Sequence, residues 1–204
     1  MSTGHAERVF TVLHVCMGNI CRSPMAERLL VARLRDELGP VADELVRSHG
    51  AGTGFWHAGD RMHAPAARQV RDRGGDPDTF RARGLEAAYL LESDLILTAT
   101  AEQVEFVLDL EPGVARHTFV LGEFGRLLAD VDTGALPPFA PTVSAVAARG
   151  RALVAAADAV RAGAWPSDKD DLDDPYGRDD AFFSRTADQV EDAIAPLVRL
   201  LVDG

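Results

Sequence analysis

Four short apolar runs, at 9–15, 45–48, 94–98 and 117–121, punctuate the chain, and between them apolar residues recur at spacings of three and four. Continuous apolar runs that alternate with helical periodicity predict an α/β fold, a parallel sheet covered by helices on both faces. The helix ends are legible too. Pro24 stands where a first-turn proline is tolerated, and Met25, Leu29 and Ala32 with Leu30, Leu34 and Leu38 form an inward stripe that stops at Gly39-Pro40. A second helix is predicted over 65–73, ahead of Gly74-Gly75. A last one is predicted to start at a capping box of Thr186 and Gln189 and to carry Val190, Ile194, Leu197 and Leu201, with a kink near Asp192 caused by Pro196.

The segment 126–163 fits this alternation less simply. Pro137, Pro138 and Pro141 make a turn-rich bridge, after which Val143, Val146, Gly150, Leu153, Ala157 and Val160 recur at alternating spacings of three and four. One helix is predicted there, packed on the same core; the stripe is too short for a coiled coil, and an oligomer contact is the other reading. No internal repeat or low-complexity linker divides the chain, so 1–204 reads as a single domain with an ordered core over about 9–202.

Composition narrows the function classes. At 204 residues, 47% hydrophobic and 26% charged, the chain has globular composition. A formal charge of −11 argues against nucleic acid, whose phosphates need a basic face. Without a signal peptide or an apolar stretch of spanning length, the expectation is a cytoplasmic protein with no membrane partner. Two cysteines five apart, with six scattered histidines, make neither a disulfide framework nor a zinc site, so no metal and no cofactor is expected.

The chemistry concentrates in VLHVCMGNICRSPMAE, residues 12–27. A strand ends at Cys16, a polar loop follows, and a helix starts near Arg22, so backbone N–H groups converge where the helix N-terminus favours an anion and a thiolate. Gly18 and Asn19 are the residue types that a tight loop with positive φ requires. Arg22 supplies a planar fork for two oxygens of a tetrahedral oxyanion, and Ser23 a hydroxyl for the sulfur. Together these describe phosphoryl transfer to sulfur. A general acid is then needed for the departing oxygen, and two Asp-Pro pairs compete: Asp76 in a turn after a helix, and Asp174 in the acidic loop DKDDLDDPYG.

The 12–27 string resembles the active-site loop of the low-molecular-weight protein-tyrosine phosphatases, and Asp174-Pro175-Tyr176 is similar to the family's late Asp-Pro-aromatic motif. The resemblance implies a three-layer fold with a four-stranded parallel sheet, Cys16 as nucleophile, Arg22 as phosphate clamp and Asp174 as general acid. It implies that Met17, Gly18, Asn19, Ile20, Cys21 and Ser23 build the substrate loop. It also puts Trp56, from AGTGFWHAG, with Phe55 beside it, and Tyr176 at the walls of the site. Three departures stand out: Phe80 where the family often has a histidine that buttresses the loop, Ala99-Thr100 and His63 where aspartates are frequent, and the apparent addition of 126–163. The expected activity is hydrolysis of phosphotyrosine or aryl phosphate monoesters through a phosphocysteine, with a phosphoprotein or small aryl phosphate as partner. Arsenate reduction with an external thiol and a catalytically weak phosphate- or phosphoprotein-binding module are the alternatives, and Cys21 is a candidate to protect Cys16 as a reversible disulfide.

Overall fold

The computed structural model describes residues 8–203. In chain order it contains β1 (Phe10–Cys16), α1 (Arg22–Leu38), α2 (Ala42–Leu45), β2 (Val46–Gly52), α3 (Ala64–Asp72), α4 (Ala87–Leu91), β3 (Leu95–Thr98), α5 (Ala101–Leu110), β4 (Thr118–Val120), α6 (Leu121–Leu127), α7 (Val143–Arg161) and α8 (Asp180–Val202). The strands form one parallel sheet in the order β2-β1-β3-β4. Every residue of β1 is buried, which is why its sequence reads as a continuous apolar run and not as an alternation.

Side chains of opposite parity leave β1 toward two helical layers. Phe10 and Val12 join a large cluster with α1, α2, α3, α6, α7 and α8, while Leu13 and Val15 pack with Leu90 of α4, Val107 of α5 and Val114. The predicted runs and the observed strands differ mainly at β2, which starts at Val46 and continues to Gly52 because it stays in register with β1 until Cys16 faces Gly52.

The stripe predicted in the 126–163 segment is buried. Val146, Gly150, Leu153 and Ala157 of α7 face the large cluster, and the helix N-terminus is capped by Thr142, whose side chain accepts from the Ala145 N–H. At Gly150 a β-carbon would stand 2.6 Å from the Phe10 ring. The helix therefore approaches β1 as closely as it does only because residue 150 has no side chain. Gly150→Ala is expected to destabilise the fold by about 1–3 kcal/mol through overpacking. Urea unfolding would show this as a lower midpoint at constant slope, and an unchanged midpoint would mean that α7 is not packed on β1.

The start of α8 corrects the sequence-based expectation. The helix begins at Asp180, with Asp179 accepting from the Phe182 N–H at 2.9 Å, and runs through Pro196 to Val202. Thr186 is fully buried two turns inside, its hydroxyl donating to the Phe182 carbonyl at 3.1 Å. An Asp cap seven residues upstream wins because it also lets Phe183 enter the core.

Candidate active site

The loop between β1 and α1 is held from outside by its carbonyls. Those of Cys16 and Met17 accept from the N–H groups of Thr53 and Gly54, each at 2.9 Å; Ile20 accepts from His63 at 2.9 Å and Cys21 from Met25 at 3.1 Å. The N–H groups of residues 17–21 donate to no protein acceptor among the described residues. Five unpaired amides beside the first turn of α1 make a cradle for an anion.

Two residues shape this turn. Asn19 takes the left-handed conformation, with φ of 52°, whereas Gly18 does not, so of the two residues suited to a positive φ only Asn19 uses it. Gly52 allows the close approach of β2, since a β-carbon there would stand 2.8 Å from the Met17 carbonyl oxygen and 3.1 Å from the Asn19 nitrogen.

Behind the loop a directed chain of hydrogen bonds ends on sulfur. The Arg83 N–H donates to Asn19 Oδ1 at 3.0 Å, which orients the amide; Asn19 Nδ2 donates to Ser23 Oγ at 2.8 Å; and Ser23 Oγ lies 3.0 Å from Cys16 Sγ. Ser23 accepts from Asn19 and keeps its own hydrogen free to donate, so it can offer a hydrogen bond to a Cys16 thiolate. Asn19 and Ser23 thus lie buried behind the loop, outside the cavity lining. Ser23→Ala is expected to lower kcat/KM by about 10- to 100-fold, the worth of a hydrogen bond to a charged group. Steady-state rates on p-nitrophenyl phosphate would check it, and a loss below twofold would remove Ser23 from the machinery.

Arg22 is almost fully buried and is clamped in turn. Its Nη2 is 3.0 Å from Asp174 Oδ2 and its Nη1 donates to the Leu172 carbonyl at 3.4 Å, while the Tyr176 N–H donates to Asp174 Oδ1 at 3.1 Å. The loop 172–176 is thereby docked against the start of α1. Asp76, the competing aspartate, accepts from the Asp78 N–H at 2.8 Å in an exposed turn and does not reach the cavity.

The cavity over the loop has a volume of about 340 Å³ and is lined by Cys16, Met17, Gly18, Ile20, Cys21, Arg22, Trp56, His57, Asp174 and Tyr176. Trp56 and Tyr176 stand on its walls, as the resemblance implies; Phe55 instead lies across Gly84, outside the lining. His63, from the first of the aspartate-like positions, stacks on Phe183 and lies 5.4 Å from Tyr176, and so braces the wall. A larger groove of about 990 Å³ runs beside α7, at the opposite end of the sheet, and contains no cysteine.

Burial dominates the electrostatics of the surroundings. The Cys21 thiol is pushed up to about 12 by burial and by the Cys16 and Asp174 charges, against the opposing effect of Arg22, so it stays protonated. Glu27, on α1, is pushed up to about 7 by burial, partly offset by Arg28 and Arg83. His49 is driven down to about 3 by burial and then by Arg83, and His14 to about 3 by burial and then by His49; both are neutral supports of the sheet end. No cluster of His, Cys, Asp or Glu able to hold a metal ion occurs among the described residues.

The family model for low molecular weight phosphotyrosine protein phosphatase matches residues 11–139, which contain all but the first residue of β1, the Cys16 loop and the Trp56 loop. The chain belongs to that family. A low molecular weight protein-tyrosine-phosphatase of Streptomyces coelicolor is 36% identical over 104 residues, half of this chain and 60% of the length of that relative. Two solved folds extend the likeness over 93% of the chain: a low molecular weight protein tyrosine phosphatase from T. tengcongensis (TM-score 0.65, 23% identity, 98% of its chain) and the YwlE arginine phosphatase from Geobacillus stearothermophilus (TM-score 0.62, 20% identity, 91% of its chain). The family match ends before α7 and before Asp174, whose placement in the site comes from the fold.

Two contributors had no sequence signal strong enough to single them out. Arg83 lies three residues after Phe80, which stands where the family often has a histidine. Phe80 is buried there, and the segment still supports the loop through the Arg83 N–H on Asn19. His57 was a lone histidine in a loop, and only the folded structure brings it to the cavity.

Proposed function

We propose that the protein is a cysteine-dependent phosphatase acting on phosphotyrosine or other aryl phosphate monoesters. The observation that carries this reading is the set of five unpaired amides and the Arg22 guanidinium beside a sulfur that lies 3.0 Å from the Ser23 hydroxyl. The substrate phosphate takes the guanidinium and the amides, releasing Asp174 from its pair with Arg22 to face the ester oxygen. The Cys16 thiolate attacks phosphorus, the S–P bond forms, the P–O bond breaks, and the Asp174 carboxylic acid protonates the departing phenolate. In the second step Asp174 takes a proton from water as the water oxygen attacks phosphorus, the S–P bond breaks, and phosphate and thiolate are regenerated. The transferring group stays on the same amides throughout, which stabilises its equatorial oxygens in both transition states.

The cavity walls support an aryl substrate. Met17, Ile20, Trp56 and Tyr176 offer apolar and aromatic surface, and the only carboxylate in the lining is Asp174, already paired with Arg22. The guanidinium of a phosphoarginine would find little to pair with. Metal-free assays of phosphate release from a phosphotyrosine peptide and a phosphoarginine peptide test this reading. Turnover of the first with little of the second is expected; a preference for phosphoarginine, or no release from either by folded protein, would overturn it.

A further inference from the structure

The cavity lining includes a histidine that the two catalytic steps do not use. His57 lines the wall beside Trp56, and its Nδ1 lies 2.9 Å from Asp60 Oδ2. A carboxylate only accepts, so Asp60 holds a proton on Nδ1 and fixes the ring with its other edge inward. That edge lies over Gly18: a β-carbon on Gly18 would stand 3.1 Å from His57 Cδ2 and 3.8 Å from Nε2. The Gly18 N–H is among the five unpaired amides, so the imidazole stands beside one of the groups that would seat an anion.

We propose that His57, held by Asp60, is an additional oxyanion-binding residue of this cavity, donating from Nε2 to a phosphoryl oxygen seated on Gly18. The inference rests on the reading of the loop as a phosphate site and adds a ligand to it. Donation from both ring nitrogens requires the imidazolium, so the anion and a proton on His57 bind together. The other charged or titratable groups facing the cavity are Cys16, Cys21, Arg22, Asp174 and Tyr176, with Asp60 behind the ring and His63 nearby. Among these Cys16 sits against the same anion, and the test removes it.

Sulfate remains a dianion across the range of interest, so it serves as the probe, with calorimetric titration of Cys16→Ser protein at about pH 5.5 and about pH 8. Sulfate is expected to bind about tenfold more tightly at the lower pH, the lower end for a charge-assisted hydrogen bond. His57→Gln in the same background should flatten this difference to under twofold, and Asp60→Asn should reduce it while leaving Arg22 and the loop untouched. An equal pH dependence with and without His57, or no measurable sulfate binding at either pH, would overturn the proposal. Turnover of p-nitrophenyl phosphate by the unsubstituted chain reports separately on the phosphatase reading, so the two can fail independently.

Discussion

Cys16→Ser protein is expected to release no p-nitrophenol above background, a loss of about 10⁶-fold, the scale seen when the nucleophile of a hydrolase is deleted. The size of the effect follows from what surrounds the sulfur. The helix start, the unpaired amides and the Ser23 hydroxyl favour a thiolate, whereas a serine hydroxyl gives up its proton far less readily and finds no general base in the cavity positioned behind it. The substitution removes no packing volume, so the urea midpoint and the near-ultraviolet spectrum should stay as they are in the unsubstituted chain. Cys21 cannot substitute as nucleophile, because burial keeps its thiol protonated. Turnover within tenfold of the unsubstituted chain would show that the reaction does not pass through Cys16.

Asp174→Asn is expected to cost roughly 10² to 10⁴ in rate on phenyl phosphate, the usual worth of a general acid. The loss should be smaller for p-nitrophenyl phosphate, whose leaving group needs less help from a proton. This dependence on the leaving group separates an acid from a residue that merely holds Arg22, since loss of the Arg22 contact would slow all substrates alike. Asp174 is half exposed and its ion pair lies at the cavity mouth, so stability should change by less than about 0.5 kcal/mol. A uniform effect across leaving groups, or no effect, would return the acid role to another group.

The central third of the machinery was legible because it is local. From Phe10 to Glu27 a strand, a loop and a helix follow one another without interruption, so apolar patterning, Pro24 and the residue types at 16, 18, 19, 22 and 23 are enough to predict an anion loop with a thiol at its edge. The α7 stripe was legible for the same reason: three-four periodicity reports which face of a helix is buried, and Val146, Leu153 and Ala157 are buried as predicted. Local signals misled at α8, where Thr186 and Gln189 have the spacing of a capping box but lie inside a helix already begun by Asp179.

What the sequence determined by itself is the α/β alternation, the anion loop with its thiol and guanidinium, and the helical character of 143–160, all properties of neighbouring residues. The residues alone favoured Asp174 over Asp76 as general acid without deciding between them; the fold brings Asp174 onto Arg22, 152 positions away, and leaves Asp76 in a turn. Likewise the Arg83 N–H on Asn19 spans 64 positions, and His57 reaches the wall above Gly18 only once the β2 end is docked beside β1. These contacts depend on sheet register and on how loops close over the strand ends, and no pattern along one segment encodes where another segment will lie.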